Sequence, residues 1–437
     1  MSDDYAIRSG RHELRKLLVS LSWLGASQVV TRLLRLLCII VVARILLPED
    51  YGIAALVLTL NELFHSFSHG AVSSKLVQAR SARLPQLCNT VYWMSWLLAI
   101  LLAAMQSLLA WPMAAFYQQQ ALILPLCVLA LSYLMLPMAT VQTALLLRQG
   151  RHRALATVEV YQAVAEAALT LILALAGFGF WALVLPRLLV APIWVIYIRH
   201  QYSWPAPTAF ALTNWRPVVR YGLPLACSDL MPALRTCAYS MLIARALGVE
   251  ALGVFYFASN AGLGVGLSLL RALNQVLFPY FSRRHRQRHA TGDRTAFGGT
   301  IGFSLGIVTP IVILQCLLAP TYVPWLFGAR WQDAGAIPVL VLMCLCALPM
   351  VLMSIASQSL RAAGDTVVDL GGQILLTLSS TLALALGLQW GLTATAGAIL
   401  ISHLLFCPLL VLCTRRRLTA SIPAPAAMPR SALQNAS

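Results

Sequence analysis

The apolar residues of this chain run in long unbroken blocks, without the alternation of a half-buried strand or the single stripe of a surface helix. Each block has about twenty residues or more, enough to cross a hydrocarbon core of about 30 Å as a helix. Twelve spans are expected, near 17–46, 51–74, 88–110, 122–147, 155–176, 180–198, 222–247, 251–281, 300–319, 335–360, 367–388 and 391–413. The fold class that follows is all-α, a polytopic membrane protein. The first block is interrupted at its middle by Arg32 and Arg35. An arginine at mid-bilayer costs roughly 2.5–3.5 kcal/mol on insertion scales, so both are expected to face an interior cavity rather than lipid. Cations inside a membrane protein point to a pathway for something negatively charged.

Composition and charge sharpen the topology. The chain is 59% hydrophobic and 10% charged, with a mean hydropathy of +0.78, which excludes an ordinary soluble domain. Its net charge of +17 sits mostly in short polar stretches around 8–16, 75–83, 148–153, 199–220, 283–294, 361 and 415–430. Only Arg330 falls clearly on the other side. The positive-inside rule then puts both termini in the cytoplasm of a multi-pass membrane protein. The basic residues are scattered over loops with no domain to carry them, which argues against a nucleic-acid partner. The first apolar segment is long, carries arginines and lacks a small-residue cleavage pattern, so it is not expected to be a cleaved signal. The ten cysteines form no CxxC pair and no cluster with histidine. They read as small packing residues, and neither a metal site, a cofactor nor a disulfide framework is expected.

A repeat organises the chain. Residues 43–52 read ARILLPEDYG and residues 244–253 read ARALGVEALG, both fitting A-R-x-L-x-x-E-x-x-G without a gap. A weaker echo links LLLRQG at 145–150 with SLRAAG at 359–364. Six spans separate the copies, an even number, so the halves enter the membrane in the same orientation. The expected domains are a six-helix lobe at 1–198, a cytoplasmic linker at 199–221, a second six-helix lobe at 222–413 and a disordered cytoplasmic tail at 414–437. Two parallel lobes around a central cavity imply alternating access by rocking.

The polar residues inside the spans supply the candidate chemistry. Gln28, Arg32 and Arg35 share one face of the first helix, and Ser268, Arg271 and Gln275 share one face of the eighth. Arg235 lies within one position of the repeat-equivalent of Arg35. The candidate cavity for an anionic substrate is therefore Gln28, Arg32, Arg35, Arg235, Arg271 and Gln275. Arginine suits it because its fork of donors binds phosphate bidentately and stays charged. The alternative is structural salt bridging to acids on other helices. Glu62, His65 and His69 share a face of the second helix, Glu159 and Glu166 share a face of the fifth, and Asp229 sits in the seventh. Any of these could bind or relay a coupling cation, and Glu62 could instead pair with Arg32 or Arg35. Arg44 and Arg245 are expected to snorkel at outside ends, and Arg187, after Pro186, has no evident place. Trp111, Trp181, Trp325, Trp331 and Trp390 are expected in an interfacial aromatic belt.

Several of these segments resemble a known family. The long first helix ending ARILLPEDYGIAAL, the stretch WLFGARWQDAGAIPVL and the SLRAAGD that follows are similar to the Wzx-type lipid-linked oligosaccharide flippases. That group is the polysaccharide transporter branch of the multidrug/oligosaccharidyl-lipid/polysaccharide exporters. The similarity covers about residues 15–413. It implies two six-helix lobes, a cationic central cavity and export of undecaprenyl-pyrophosphate-linked glycan units for O-antigen, capsule or exopolysaccharide. It also implies coupling to H+ or Na+, contact with membrane lipids, and association with polymerase and export machinery. Family members carry charged residues in the first helix of each lobe, where this chain has Arg32, Arg35 and Arg235. A cation-coupled multidrug antiporter of the same fold would need an anionic cavity, which the surplus of intramembrane arginines opposes. A membrane polymerase or ligase would need larger outside loops with titratable groups. Neither reading as an enzyme nor as a scaffold accounts for buried arginines.

Overall fold

The computed structural model describes residues 31, 34, 36–71, 76, 84–205, 210–212, 215–263, 293–363 and 365–420. Among them the chain is helical, with no strand. The helices are α1 (Leu36–Ile45), α2 (Pro48–Ala71), α3 (Leu84–Tyr117), α4 (Ile123–Ala130), α5 (Pro137–Arg148), α6 (His152–Leu175) and α7 (Trp181–Gln201) in the first half. The second half has α8 (Trp215–Leu247), α9 (Val249–Ala258), α10 (Asp293–Tyr322), the one-turn α11 (Ala329–Asp333), α12 (Ala336–Ala363), α13 (Thr366–Gly387) and α14 (Leu392–Ala420). Among the described residues seven helices are long and apolar enough to cross a membrane, and α4 with α5 makes an eighth span bent by 49°. Pro137 at the first position of α5 explains that bend, because it supplies no N–H to the turn before it. Large apolar side chains such as Leu97, Leu108, Ile172, Leu317, Leu382 and Leu405 stand exposed on these helices, a surface that lipid would cover. The chain is a multi-pass helical membrane protein.

The remaining expected spans differ from that count for physical reasons. The seventh lies within α8, which is 33 residues long but carries too many charged groups to read as simply apolar. The eighth begins as α9 and passes into a π-helical turn, Ser259–Leu263, beyond which residues 264–292 lie outside the described residues. The second is α2, 24 residues long, which carries Glu49, Asp50, Asn61, Glu62 and His65 and falls outside the seven, and of the first span only α1 and two isolated residues are described. The expected disordered tail, 414–437, is corrected at its start, because α14 stays helical to Ala420, and the residues beyond 420 lie outside the described ones.

The two copies of the repeat meet each other. Pro48 opens α2 with Glu49 and Asp50 in its first turn, where a fixed φ and acidic side chains suit a helix N-terminus. Asp50 Oδ2 accepts from the Leu47 amide at 3.3 Å, and Oδ1 accepts from the Phe180 amide at 3.1 Å, tying this turn to the start of α7. Val249 and Glu250 open α9 in the same way, after a turn at Gly248 with φ +92. There the backbones touch. A Cβ on Gly52 would lie 1.9 Å from the Val249 carbonyl oxygen, and one on Gly253 would lie 1.7 Å from that of Pro48. Pro48 and Val249, like Gly52 and Gly253, occupy equivalent repeat positions, so the contact is reciprocal about a pseudo-two-fold axis.

Side chains extend this seam in both directions. Arg44 Nε donates to the Leu326 carbonyl at 2.7 Å, and its Nη2 donates to that of Trp325. Arg330 returns the contact with Nη1 to Leu46 O at 3.2 Å and Nη2 to Arg44 O at 2.6 Å. Tyr117 donates to the Met241 carbonyl at 3.1 Å, and Arg245, the repeat-equivalent of Arg44, lies 5.4 Å over the Phe116 ring. Arg44 and Arg245 are both exposed, and each also reaches the opposite half of the chain. Trp331 is a correction. It is fully buried, stacks on Phe257 at 4.0 Å, meets Tyr51 edge-on at 5.2 Å and donates Nε1–H to Ala43 O at 2.8 Å. Its ring finds apolar contact and its N–H a partner at the seam, so it does not join an interfacial belt. Trp111, Trp325 and Trp390 are exposed as a belt requires. A groove of about 470 Å³ lies beside the seam, lined by Glu49, Tyr117, Gln119, Arg245 and Glu250.

The seam has no space for a methyl group. Gly253→Ala should force the halves apart there and raise hydrogen exchange in the peptides covering 43–52 and 244–253 by about tenfold or more, since exchange tracks local opening. Unchanged exchange in the variant would show that the contact yields without opening.

Candidate functional site

Two ionic centres lie inside the bundle, one in each half. In the first, α7 brings Arg187 to Glu62 of α2, with Nη1 and Oε2 3.2 Å apart, and to Glu166 of α6, with Nε and Oε1 4.0 Å apart. The three side chains are partly open, between 36% and 56% exposed, so solvent screens the pairing and its worth to stability is small. This supplies a partner for Arg187, which the sequence alone left unplaced. Glu62 has Arg187 as its ion-pair partner among the described residues. Glu159 lies exposed on α6, two turns before Glu166.

A buried uncharged network sits directly beside this centre. The Asn61 amide donates to the Tyr133 hydroxyl at 2.8 Å, and that hydroxyl lies 2.6 Å from Gln106 Oε1 and 2.9 Å from Asn61 O. Gln106 Nε2 donates to the Leu126 carbonyl at 2.9 Å. Asn61, Gln106 and Tyr133 are all buried, so each hydrogen bond answers a group that would otherwise be desolvated without compensation. The His65 ring lies 6.4 Å from that of Tyr133. His69 belongs to α2, but its side chain is outside the described residues.

The second centre is tighter. Arg361, near the end of α12, donates from Nε to Asp369 Oδ2 of α13 at 2.7 Å and from Nη1 to Asp229 Oδ1 of α8 at 3.2 Å. Its Nη2 donates to Ser228 Oγ at 2.9 Å, and that hydroxyl donates to Asp369 Oδ2 at 3.0 Å. Asp369 is 1% exposed. Arg361 reads from sequence as a loop cation, and Asp369 was missed there. The available signal was Asp369 itself, a carboxylate within a predicted span, which needs a partner. Asp229, a candidate for a coupling ion, is one of the two carboxylates that the guanidinium holds.

The expected cationic cavity is only partly within the described residues. Gln28, Arg32, Arg35, Arg271 and Gln275 lie outside them. Arg235 is described and is 7% exposed in α8. Tyr239 lies one turn on, and His403 and Cys407 of α14 are within electrostatic reach.

With this geometry in place, comparison with known proteins decides the family. A family profile described as "Polysaccharide biosynthesis protein" matches residues 41–336, from the end of α1 to the start of α12. The chain belongs to the polysaccharide biosynthesis protein family. A relative of this family's chain is the succinoglycan biosynthesis transport protein ExoT of Rhizobium meliloti, 24% identical over 327 residues. The match takes in 75% of this chain but 65% of ExoT, so the chain spans under two thirds of that relative's length. Among solved structures, the lipid II flippase MurJ in an inward closed conformation superposes with a TM-score of 0.75 at 13% identity, covering 90% of this chain and 87% of that one. An inward-facing multidrug resistance transporter of the MATE family, within the MOP superfamily, gives 0.71 at 18% identity, covering 89% and 95%. At such identities the likeness establishes a shared fold, that of multi-span transporters.

The Arg361 centre gives a direct stability test. Removing Arg361 leaves Asp369 buried and unpaired, at a cost of about 3–5 kcal/mol, so Arg361→Gln should lower the melting temperature of the purified protein substantially, and Asp369→Asn should lower it less because Asp229 still pairs with Arg361. The double variant should cost much less than the sum of the two, because the charges it removes compensated each other. Additive losses would mean that the groups act separately.

Proposed function

We propose that the protein flips undecaprenyl-pyrophosphate-linked oligosaccharide units across a bacterial inner membrane by alternating access, as a carrier rather than an enzyme. The observation that carries this reading is family membership over residues 41–336. Its relatives bear names from exopolysaccharide and lipopolysaccharide pathways, such as ExoT and the WzxC protein of Escherichia coli, and one solved neighbour is a lipid II flippase. The sign of the interior charge supports a diphosphate substrate over a cationic drug.

The mechanism divides along the repeat into two rocking lobes, 1–198 and 222–413, joined by the linker at 199–221. Both termini are cytoplasmic, so the seam at Gly52 and Gly253 lies on the outer side. It is closed in this structure, leaving the substrate to enter from the cytoplasm. Arg32, Arg35, Arg235 and Arg271, with Gln28 and Gln275, hold the pyrophosphate, while the glycan occupies the cavity and the polyprenyl chain stays in lipid. Rocking then parts Gly52 from Val249 and Gly253 from Pro48 and frees Arg44 from its carbonyls. Asp229 is already engaged by Arg361. A coupling H+ or Na+ is assigned to Glu62, Glu159 and Glu166 with His65 and His69, where protonating or metallating Glu62 or Glu166 would release Arg187, or to Asp229, where it would displace Arg361.

The test uses a strain lacking this protein and supplied with labelled lipid-linked precursors, in which the leaflet holding the intermediate is measured. Wild type should move the intermediate to the periplasmic leaflet. Arg32→Ala/Arg35→Ala should reduce that movement by about a hundredfold or more at equal protein level, as expected when charge-assisted phosphate contacts are lost. Full movement by the double variant would remove the cationic site, and intermediate that crosses without the protein would remove the flipping role.

A further inference from the structure

Among the described residues of the second half, one buried cation forms no ion pair. Arg235 is 7% exposed, and its Nη1 makes no hydrogen bond. The Tyr239 hydroxyl one turn along α8 is likewise buried, within reach of the Ser380 hydroxyl. Around them stand Ser380 of α13, His403 and Cys407 of α14, and Cys346 of α12, all within electrostatic reach of the pair. His403 Nδ1 lies 2.8 Å from the Ile399 carbonyl, so that nitrogen carries the proton and faces its own helix. None of these side chains is a carboxylate.

The acids of the whole chain can be followed one by one. It has 14 Asp and Glu. Asp3, Asp4 and Glu13 precede the first apolar block, and Asp293 and Asp365 stand in polar stretches before α10 and α13. Glu49, Asp50, Glu250 and Asp333 belong to the seam end, and Glu62, Glu159 and Glu166 to helices of the first half. In the membrane interior of the second half that leaves Asp229 and Asp369, and both are bound to Arg361. Asp229 is also six residues from Arg235 on the same helix, about 9 Å along its axis. An arginine does not shed its proton inside a protein, and an isolated buried charge is strongly unfavourable, so the counter-charge has to come from outside the chain.

We propose that Arg235 and Tyr239 form a binding site for a small inorganic anion of chloride size, enclosed within the second half and separate from the cavity for the transported lipid. Two buried donors one helical turn apart, on a helix packed against α13, provide the charge and a hydroxyl hydrogen bond. The burial sets the size: Arg235 is 7% exposed beside α14, which leaves room for a small ion rather than for a pyrophosphate joined to a glycan and a polyprenyl chain. The bound ion would neutralise the core where these helices pack, and Arg235 would then serve this site instead of the pyrophosphate. This inference does not rest on flipping, since binding is read on the isolated protein.

The experiment takes the full chain in lipid nanodiscs and measures binding of radiolabelled chloride, together with thermal unfolding as chloride replaces gluconate. Binding should be saturable and displaced by bromide, and the melting temperature should rise with chloride. Arg235→Gln should weaken the affinity by about tenfold or more, and Tyr239→Phe, which keeps the ring, by roughly threefold. If Arg235→Gln does not fold, Tyr239→Phe decides alone. A wild-type protein that neither binds chloride nor responds to it overturns the proposal. So does a melting temperature raised by inorganic pyrophosphate but not by chloride, which would return Arg235 to the substrate.

Discussion

Everything in this structure depends on how closely two stretches of backbone approach where α2 and α9 begin. Glycine at 52 and 253 lets each helix press against the carbonyl of the other's first residue, Val249 or Pro48. A side chain at either position would hold the helices apart by its own thickness. The guanidiniums of Arg44 and Arg330 then reach carbonyl oxygens across the contact, and Trp331 fills the space beneath it. The principal apolar core runs through this seam, from Val42 and Tyr51 to Phe257, Phe327 and Trp331, so the halves share one core there.

Within the bundle, electrostatics are settled locally. Water is absent from the lipid-facing side, so every charge must find its opposite, a cavity or a mobile ion. Arg361 shows the first solution, with two carboxylates and a hydroxyl gathered from α8 and α13. Arg187 shows a looser version, with two carboxylates and considerable exposure. The difference matters for a transporter. A centre with close pairing around a buried carboxylate resists rearrangement and favours a rigid lobe, whereas a half-open pair can exchange a proton or ion at low cost.

Much of this was legible in the residues. Long apolar blocks specify membrane helices because the bilayer gives backbone groups no other partner, and the A-R-x-L-x-x-E-x-x-G repeat marked the two segments that meet at the seam. The repeat also marked Gly52 and Gly253, although nothing local says that they touch. Pairing between distant helices was not legible. Arg361 lies near the end of its apolar block and reads as a loop cation until folding brings Asp229 and Asp369 beside it. Trp331 reads as a belt residue because its sequence neighbours are polar and aromatic. Its burial is decided by Tyr51 and Phe257, which are far away in the chain. The Asn61–Gln106–Tyr133 network was missed for the same reason, since three isolated polar residues on three elements carry no shared spacing.

A seam that must open and reclose should be built from contacts with low penalties in both states. Glycine against backbone has no side chain to withdraw, and its separation exposes little apolar surface. Guanidiniums leaving carbonyl oxygens enter the polar end of the bundle, where water replaces the lost partners, so the net change per hydrogen bond is about 1 kcal/mol. The apolar part is different. Trp331 is anchored on Tyr51 and Phe257, and parting it from Tyr51 would expose an aromatic surface worth several times more. Phe257 and Trp331 belong to the same half, so their stack can move as one body, and Tyr51 and the Ala43 carbonyl are the contacts across the seam that opening must break. A population balanced within a few kcal/mol between closed and open seams then requires something bound in the open state to offset that aromatic loss.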